Sequence, residues 1–205
     1  DGKDYKNMSD QDEAKFRMIE YHKWKFKAKI FSPLAPLTVK RTPVLMTRVE
    51  YGFLGSYNKY KKSPFETFYM GGEIGRGDGM SGYSSTYATE TIGLRGYENG
   101  SIAGNGGYNS YGYAYSRLSM ELRYPFLLEP SSTIYGLVFV EAGNAWRDLK
   151  DFNPFQLKRS AGVGVRIFLP MIGLMGIDWA YGFDRPDGYD QRGGSNFHFI
   201  IGQEF

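Results

Sequence analysis

Cysteine and histidine, two side chains that often act as nucleophiles and metal ligands, are nearly absent from this sequence. The 205 residues contain no cysteine, and the only histidines are His22 and His198. No nucleophile or cluster of metal ligands accompanies either histidine, so we expect no catalytic residue, no metal and no cofactor. The sequence therefore favours a protein that binds or assembles over an enzyme.

The clearest candidate for polar chemistry is an arginine in a long glycine-rich segment. Leu94-Arg95-Gly96-Tyr97 lies near the centre of residues 71–113, which are dense in Gly, Ser, Tyr and Asn. A connection longer than about 12–15 residues is usually functional or disordered. The planar guanidinium of Arg95 is suited to binding carboxylates, and Glu121 and Glu141 lie on strand faces that would point inward.

Three other interpretations of these residues stay open. Arg95 could be a solvated arginine in a turn, which is the ordinary meaning of an arginine between a leucine and a glycine. A glycine-rich segment with an arginine could also bind phosphate, although no strand–loop–helix context supports that function here. Glu121 could instead pair with an arginine or lysine on a neighbouring strand.

The elements that must position these residues have a two-residue period, which is typical of β-strands. In residues 22–31, Lys23, Lys25, Lys27 and Lys29 alternate with Trp24, Phe26, Ala28 and Ile30. A strand separates these into a cationic and an apolar face, whereas a helix would scatter the lysines. Similar patterns occur in residues 45–53, 114–124, 160–167 and 174–183. Further strands are predicted at residues 65–70, 134–146 and 196–205, which makes about eight strands of near membrane-spanning length.

Composition and patterning together favour one architecture. The 17 tyrosines, 15 phenylalanines and 27 glycines favour strands and tight turns. A net charge of +3, from 25 basic and 22 acidic residues, gives no reason to expect nucleic-acid binding. A soluble β-sandwich would hide the apolar faces, whereas a membrane barrel turns them outward and suits aromatic residues near strand ends. We therefore predict an all-β fold, a transmembrane antiparallel β-barrel.

Four segments, in this order along the chain, resemble motifs of the outer-membrane insertase superfamily. Residues 94–97 resemble the Val-Arg-Gly-Phe motif in its sixth extracellular loop. Residues 139–146 (FVEAGNAW) resemble its aromatic-x-acid-x-glycine strand, with Phe139, Glu141 and Gly143 at the defined positions. Residues 160–166, followed by Pro170, resemble the next strand, and residues 197–205 resemble the closing strand. The matches cover about residues 65–205, and residues 1–64 match only as a strand pattern.

The resemblance implies a barrel of sixteen strands that follows periplasmic POTRA domains. Residues 1–205 would then supply about eight C-terminal strands, with a long extracellular loop at about residues 77–112. The POTRA domains and the first half of the barrel would be absent from this chain. An eight-stranded interior has little room beyond its side chains, so a loop folded inside requires the wider barrel. By resemblance, Arg95 would enter the lumen and contact Glu141 and Glu121.

The resemblance also implies a function, a location and partners. The protein would fold and insert client β-barrels in the bacterial outer membrane, through a seam at its last strand. Phe197, Phe199, Ile201 and Phe205 lie on one face of that strand, whose free edge could accept client strands by β-augmentation. Gly202 would either permit a bend in the strand or simply pack against the loop. The expected partners are outer-membrane lipids, nascent β-barrel clients and accessory subunits of the assembly machinery.

Two alternative functions stay open from the sequence. A two-partner secretion transporter of the same superfamily shares the loop motif, and its lumen would conduct the substrate along the cationic face of residues 23–29. The other alternative is an unrelated small outer-membrane barrel, such as an adhesin, a porin-like barrel or a lipase. A serine–histidine pair near the rim would favour the lipase, and the sequence offers no convincing candidate.

Overall fold

The computed structural model describes residues 7–8, 18–36, 38, 41–58, 60–72, 90–102, 111–129, 131–171 and 173–201. These residues form nine strands: β1 (Tyr21–Pro33), β2 (Val44–Ser56), β3 (Phe68–Met70), β4 (Glu90–Ile92), β5 (Ala114–Glu129), β6 (Ser132–Trp146), β7 (Lys158–Leu169), β8 (Gly173–Gly182) and β9 (Gly194–Ile201). A short 3₁₀ helix, Leu149–Asp151, lies between β6 and β7. No helix in the described ranges is long and apolar enough to cross a membrane.

Seven of these strands form one sheet in which every neighbouring pair is antiparallel. Their order in the sheet is β1-β2-β5-β6-β7-β8-β9, which is also their order along the chain. Only the step from β2 to β5 is interrupted, because the glycine-rich segment with β3 and β4 lies between them. Among the described strands, β1 and β9 form the two edges of this wall. The prediction of an all-β antiparallel fold is confirmed.

The prediction that residues 65–70 form a strand of the wall is wrong. β3 has three residues and pairs in parallel with β4, in a separate two-stranded sheet. Gly71 and Gly72 follow directly with φ of 117° and 80°, a conformation that ends a strand and that glycine adopts readily. Phe68 and Met70 are fully buried under the loop. The segment is too short to cross a membrane and serves as part of the loop.

Along the wall strands, outward apolar side chains alternate with inward polar ones, as the two-residue period predicts. Phe197 and Phe199 on β9 are 65% and 59% exposed, whereas His198 and Ile200 between and beyond them are buried. Other strands add exposed apolar side chains to the outward face: Trp24, Phe26, Val140, Val163 and Ile177. The inward face carries buried charged side chains: Arg48, Glu50, Arg117, Glu121, Glu141, Arg166 and Asp178. So continuous an exposed apolar surface is unusual for a soluble monomer and favours a membrane wall.

The larger of two apolar clusters among the described residues lies between the loop and the inward face of the wall. It is formed by ten buried residues: Leu54, Phe68, Met70, Ile92, Leu94, Tyr97, Ile102, Tyr113, Tyr115 and Ala145. The connections at this end of the sheet span residues 57–113, 147–157 and 183–193, whereas those at the other end span residues 34–43, 130–131 and 170–172. The loop therefore packs inside one end of the wall.

Candidate functional site: a buried charge cluster that holds the loop

Leu94 fixes the position of the loop before its arginine. Its side chain is fully buried in the apolar core, and its backbone forms an isolated bridge with Gly72. Gly143 on β6 provides the space, because an added Cβ there would lie 2.7 Å from Met70 Cε and 3.3 Å from Leu94 Cδ1. The glycine of the aromatic-x-acid-x-glycine strand thus lets the loop approach the wall.

Arg95 joins three wall strands at once. Its guanidinium is buried, with 1% of the side chain exposed. Nη2 donates to Glu121 Oε1 at 2.5 Å and to Glu141 Oε1 at 2.7 Å, and Nη1 donates to Asp178 Oδ2 at 2.9 Å. Burial alone would lower the pKa of the Arg95 guanidinium, but the charges of Glu141 and Glu121 outweigh it and raise that pKa. The loop is therefore held by a permanently charged group.

Phe139 supports the guanidinium from one face. The centre of its ring lies 3.5 Å from Arg95 Cζ, which places the cation over the ring. Gly162 is the register partner of Phe139 on β7, and a Cβ there would contact the ring. Phe139, Glu141 and Gly143 are alternate residues of β6, so all three face inward. The spacing of this motif therefore places the aromatic ring, the acid and the gap for the loop on one face.

Glu141 is the most fully satisfied carboxylate of the cluster. Its Oε1 accepts hydrogen bonds from Arg95, from Arg117 Nη2 at 2.9 Å and from Ser119 Oγ at 3.0 Å. Its Oε2 accepts the backbone N–H of Arg95 at 2.9 Å. A buried carboxylate is costly unless it is paired and hydrogen-bonded, and here every acceptor has a donor.

The other two carboxylates each have an arginine besides Arg95. Arg123 donates to Glu121 Oε2 from Nε at 2.9 Å and from Nη2 at 2.6 Å. Arg166 donates to both oxygens of Asp178, at 2.5 and 2.6 Å. Such two-point pairs fix the orientation of each carboxylate as well as its charge. The site is an interlocked ion network that binds one loop to β5, β6, β7 and β8.

Gly96 allows the loop to turn where it touches the wall. Its φ is +87°, and a Cβ would lie 2.9 Å from both Gly182 N and Ser160 Cβ. Its carbonyl oxygen lies close to Gly182, where an added Cβ would contact it. Its N–H donates to Nε2 of His198 at 2.9 Å. Gly96 thus reaches β7, β8 and β9 at a point where no side chain fits.

Tyr97 is the last residue of the loop motif, and it binds backbone groups near the start of β7 and just after the end of β8. Its hydroxyl donates to the carbonyl oxygen of Arg159 at 2.7 Å and accepts the backbone N–H of Asp184 at 3.3 Å. Burial raises the pKa of Tyr97 to about 12, so the hydroxyl keeps its proton at physiological pH and donates. The four residues of the loop motif therefore have separate structural roles.

A second set of ion pairs holds β4 against β1. Glu90 lies 3.0 Å from Nζ of both Lys23 and Lys25, and 3.9 Å from Nζ of Lys27. Burial would raise the pKa of the Glu90 carboxyl, but the hydrogen bonds from Lys25 and Lys23 prevail and lower it. The cationic face that the sequence predicts on β1 is thus partly occupied by the loop.

Replacing Glu90 with glutamine is expected to loosen the attachment of β4 by about 1 kcal/mol, the usual range for partly exposed ion pairs. Because the folded-state pKa lies below the ordinary value, the wild-type attachment is complete above that ordinary value and weakens as pH falls through the lowered one. Hydrogen exchange of the β4 peptide should show this pH dependence in the wild type and none in Glu90→Gln. Glu98→Gln, at an exposed position of the same loop, is the control; an equal effect there would contradict the assignment.

The structure brings Arg95, Glu121 and Glu141 together. Both Nη atoms of Arg95 donate to carboxylates, which opposes the solvated-turn and phosphate interpretations. Glu121 also pairs with Arg123, which lies on the same strand rather than on a neighbouring one. Sequence reasoning missed Asp178 as the third carboxylate. The alternation in residues 174–183 could have identified this residue, because Asp178 lies on the polar face of that predicted strand.

The predicted seam residues lie partly within the described chain. Phe197 and Phe199 point outward on β9, which the structure describes as far as Ile201. Gly202 and Phe205, and the side chain of Ile201, lie outside the described residues. Of the predicted loop at about residues 77–112, the structure describes residues 90–102 and 111–112.

These features define a class of protein. The model of the Omp85 superfamily domain matches residues 15–205, and the chain therefore belongs to the Omp85 superfamily. Membership implies a β-barrel of the bacterial outer membrane, and the predicted resemblance to the outer-membrane insertase superfamily is confirmed.

One solved structure gives a more particular likeness. The chain is similar to BamA from Haemophilus ducreyi lacking POTRA domains 1–3, with 20% sequence identity over 88% of this chain and a TM-score of 0.60. It spans 34% of the length of that protein, and the likeness concerns the fold. A comparison with curated protein sequences found no match.

Proposed function

We propose that this chain is the C-terminal part of the barrel of an outer-membrane assembly factor. The factor folds and inserts client β-barrels by strand addition at β9, and it catalyses no chemical reaction. Membership of the Omp85 superfamily and the BamA-like fold support this proposal. The observation that carries it is the arrangement at β9, which is an edge strand of the described sheet and lies beside a wall braced by buried ion pairs.

β9 is suited to exchange its pairing partner. Its described residues, Gly194–Ile201, pair with β8 in one continuous antiparallel register. Its described pairing is with β8 alone, and an unpaired edge is a template for another strand. Backbone hydrogen bonds supply the affinity in β-augmentation, so clients of varied sequence would bind. Behind it, the ion network keeps β5 to β8 in fixed register.

The two faces of the wall indicate the remaining partners. The exposed apolar face would contact outer-membrane lipids, and the long connections would face outward, as they do in outer-membrane barrels generally. Nascent β-barrel proteins are the proposed clients. Accessory subunits of the assembly machinery would complete the complex, and no nucleic acid is involved.

Cysteine crosslinking on the full-length protein in native outer membranes tests strand addition. Residues 1–205 contain no cysteine, and any cysteine elsewhere in the full-length protein is replaced with serine, so that an introduced pair reports without background. A cysteine at Ile201 is expected to crosslink to the barrel's first strand at rest, and to client strands while new barrels are being made. A Phe199→Cys and Ile177→Cys pair, which are register partners on β9 and β8, should crosslink in both conditions and serves as the control.

The result that contradicts strand addition is also defined. Crosslinks from Ile201 to the first strand alone, during active client synthesis and with the control pair intact, would mean a permanently closed wall. The transporter function would then replace the insertase function.

A further inference from the structure

The connection between β6 and β7, residues 147–157, folds over the outward face of the wall. The ring of Phe152 packs edge-on against Trp146, with 4.7 Å between the ring centres, and Asn144 Nδ2 donates to the carbonyl oxygen of Gln156 at 2.7 Å. Asn144 and Trp146 are alternate residues of β6 on the face opposite the inward core, yet both are buried. This connection therefore forms a flap that covers one end of the outward face.

A cleft of about 980 Å³ lies between the flap and the wall. Its floor includes Tyr51 on β2, Leu118 on β5 and Ala142 on β6, and the last two are register partners on the outward face. Met120 and Val140, the next outward pair along β5 and β6, are 46% and 54% exposed. The floor of the cleft therefore continues directly into the exposed apolar surface of the wall.

Five charged residues also line the cleft: Lys158, Arg159, Asp184, Arg185 and Asp187. Asp184 pairs with Arg159 and Asp187 with Lys158, so three cations against two acids leave one positive charge in excess. The side chain of Arg159 is 69% exposed and uses Nε and Nη2 for Asp184, which leaves Nη1 to donate to another group. A guanidinium suits phosphate, because it presents several donors in one plane. The cleft thus joins an apolar floor to a site for an anion.

Ser116 supplies an independent sign of a ligand. It lies between Tyr51 and Asn144 in one row across β2, β5 and β6, and both of these neighbours line the cleft. Ser116 is 1% exposed, and its Oγ has no hydrogen-bond partner among the described residues. A buried hydroxyl without a partner costs free energy. The row places this hydroxyl beside the cleft, where an oxygen atom of a bound molecule would satisfy it.

We propose that this cleft binds a phosphorylated glycolipid of the outer leaflet, with its phosphate at Arg159, a sugar oxygen at Ser116 and an acyl chain along Leu118 and Ala142. The occupant is a lipid rather than a soluble anion, because the floor opens onto the membrane-facing surface. Phosphorylated glycolipids are the main anionic lipids of the outer leaflet in bacterial outer membranes. The inference rests on the proposed orientation of the barrel, with the loop end of the wall outside, and does not depend on strand addition at β9.

Binding is measured by native mass spectrometry of the full-length protein, stripped of lipid in detergent and titrated with bisphosphorylated lipid A. The comparison lipid is the same lipid A with both phosphates removed. We expect the phosphorylated lipid to bind roughly tenfold more tightly, the usual scale for a hydrogen bond to a charged group. It should also slow hydrogen exchange of the peptide containing residues 152–159. Equal affinity for the two lipids, an unaffected peptide, or displacement by inorganic phosphate alone would overturn the proposal.

A substitution at Arg159 assigns the binding to this cleft. Arg159→Gln should weaken binding of the phosphorylated lipid roughly tenfold, because the phosphate loses its charged donor. Lys150→Gln removes a lysine that is exposed on the same connection but does not line the cleft, so it is the matched control. Heat-dependent mobility on gels confirms that each variant is folded. Equal lipid affinities of the two variants would contradict the assignment.

Ser116→Ala separates a hydroxyl that binds a ligand from one that serves the fold. Removing a buried hydroxyl that has no partner in the protein should leave the lipid-free protein as stable as the wild type or slightly more stable. Binding of the phosphorylated lipid should weaken roughly fivefold, because the lipid loses one hydrogen bond. A destabilised protein with unchanged lipid affinity would remove Ser116 from the site and overturn the proposal.

The failure of this proposal and the failure of strand addition can be told apart. Neither Arg159 nor Ser116 lies on β9, so client crosslinking at Ile201 is measured independently of glycolipid binding. Glycolipid binding without client crosslinks would support the cleft and contradict strand addition. Client crosslinks without glycolipid binding would support strand addition and overturn the assignment of the cleft.

Discussion

Replacing Arg95 with methionine is expected to destabilise the folded barrel by about 3–5 kcal/mol, the usual cost of removing one partner from a buried ion network. Glu121, Glu141 and Asp178 would lose their shared cation in a place where water cannot replace it. The measurement is the urea midpoint of unfolding of the full-length protein in lipid vesicles, followed by heat-dependent mobility on gels. Methionine keeps most of the volume, so the loss is one of charge and hydrogen bonds rather than of packing.

Two comparisons make the Arg95 result specific. Arg185→Met applies the same substitution to an exposed arginine in the β8–β9 connection and should change stability by less than about 0.5 kcal/mol. In a double-mutant cycle, Arg95→Met combined with Glu141→Gln should cost less than the sum of the two single variants, because the Arg95–Glu141 contact can be lost only once. An Arg95→Met cost no larger than that of Arg185→Met would show that the network does not hold the barrel.

Replacing Gly96 with alanine is expected to cost at least about 2 kcal/mol more than the same change at Gly173. Both glycines have positive φ, +87° and +94°, so both substitutions carry the strain of that conformation, about 1–2 kcal/mol. The two positions differ in the space that is available for an added Cβ. An added Cβ at Gly173 meets nothing within 4 Å, whereas at Gly96 it would lie against the backbone of Gly182 and the side chain of Ser160.

The pair of alanine variants therefore separates backbone strain from the close approach of loop and wall. Unfolding midpoints give the difference in stability, and hydrogen exchange of the peptide containing residues 94–97 locates it. The Gly96 variant should lose protection in that peptide, and the Gly173 variant should not. Equal costs at the two positions would mean that the loop does not need its contact with β8.

Most strands of the wall could be predicted from the sequence, because the alternation of apolar and polar residues is visible within each strand by itself. The pattern in residues 22–31 identifies the outward face of β1 without reference to any other strand. The same local information misassigned residues 65–70, since their aromatic content resembles a strand and only the two glycines after them end it. Length, rather than pattern, distinguishes that loop segment from the wall.

The site was only partly predictable, for a different reason. A two-residue period shows that Asp178 faces inward, but not that β8 places it beside Arg95, because that depends on the register of β5 to β8. Glu121 and Glu141 were linked to Arg95 through the family resemblance rather than through spacing. His198 carried no signal beyond its type, since its partner is a backbone N–H, and backbone groups are present at every position.

The partners of the loop motif also set an order of events during folding. Arg95 is 26 residues from Glu121, 46 from Glu141 and 83 from Asp178, and Gly96 is 102 from His198. Contacts between residues far apart in the chain carry a larger loop-closure entropy and form late. The loop gains its first carboxylates as β5 and β6 form, but its last two contacts wait for the end of the chain. Docking of the loop is therefore a built-in checkpoint, which closes only when the final strands have been synthesised and placed.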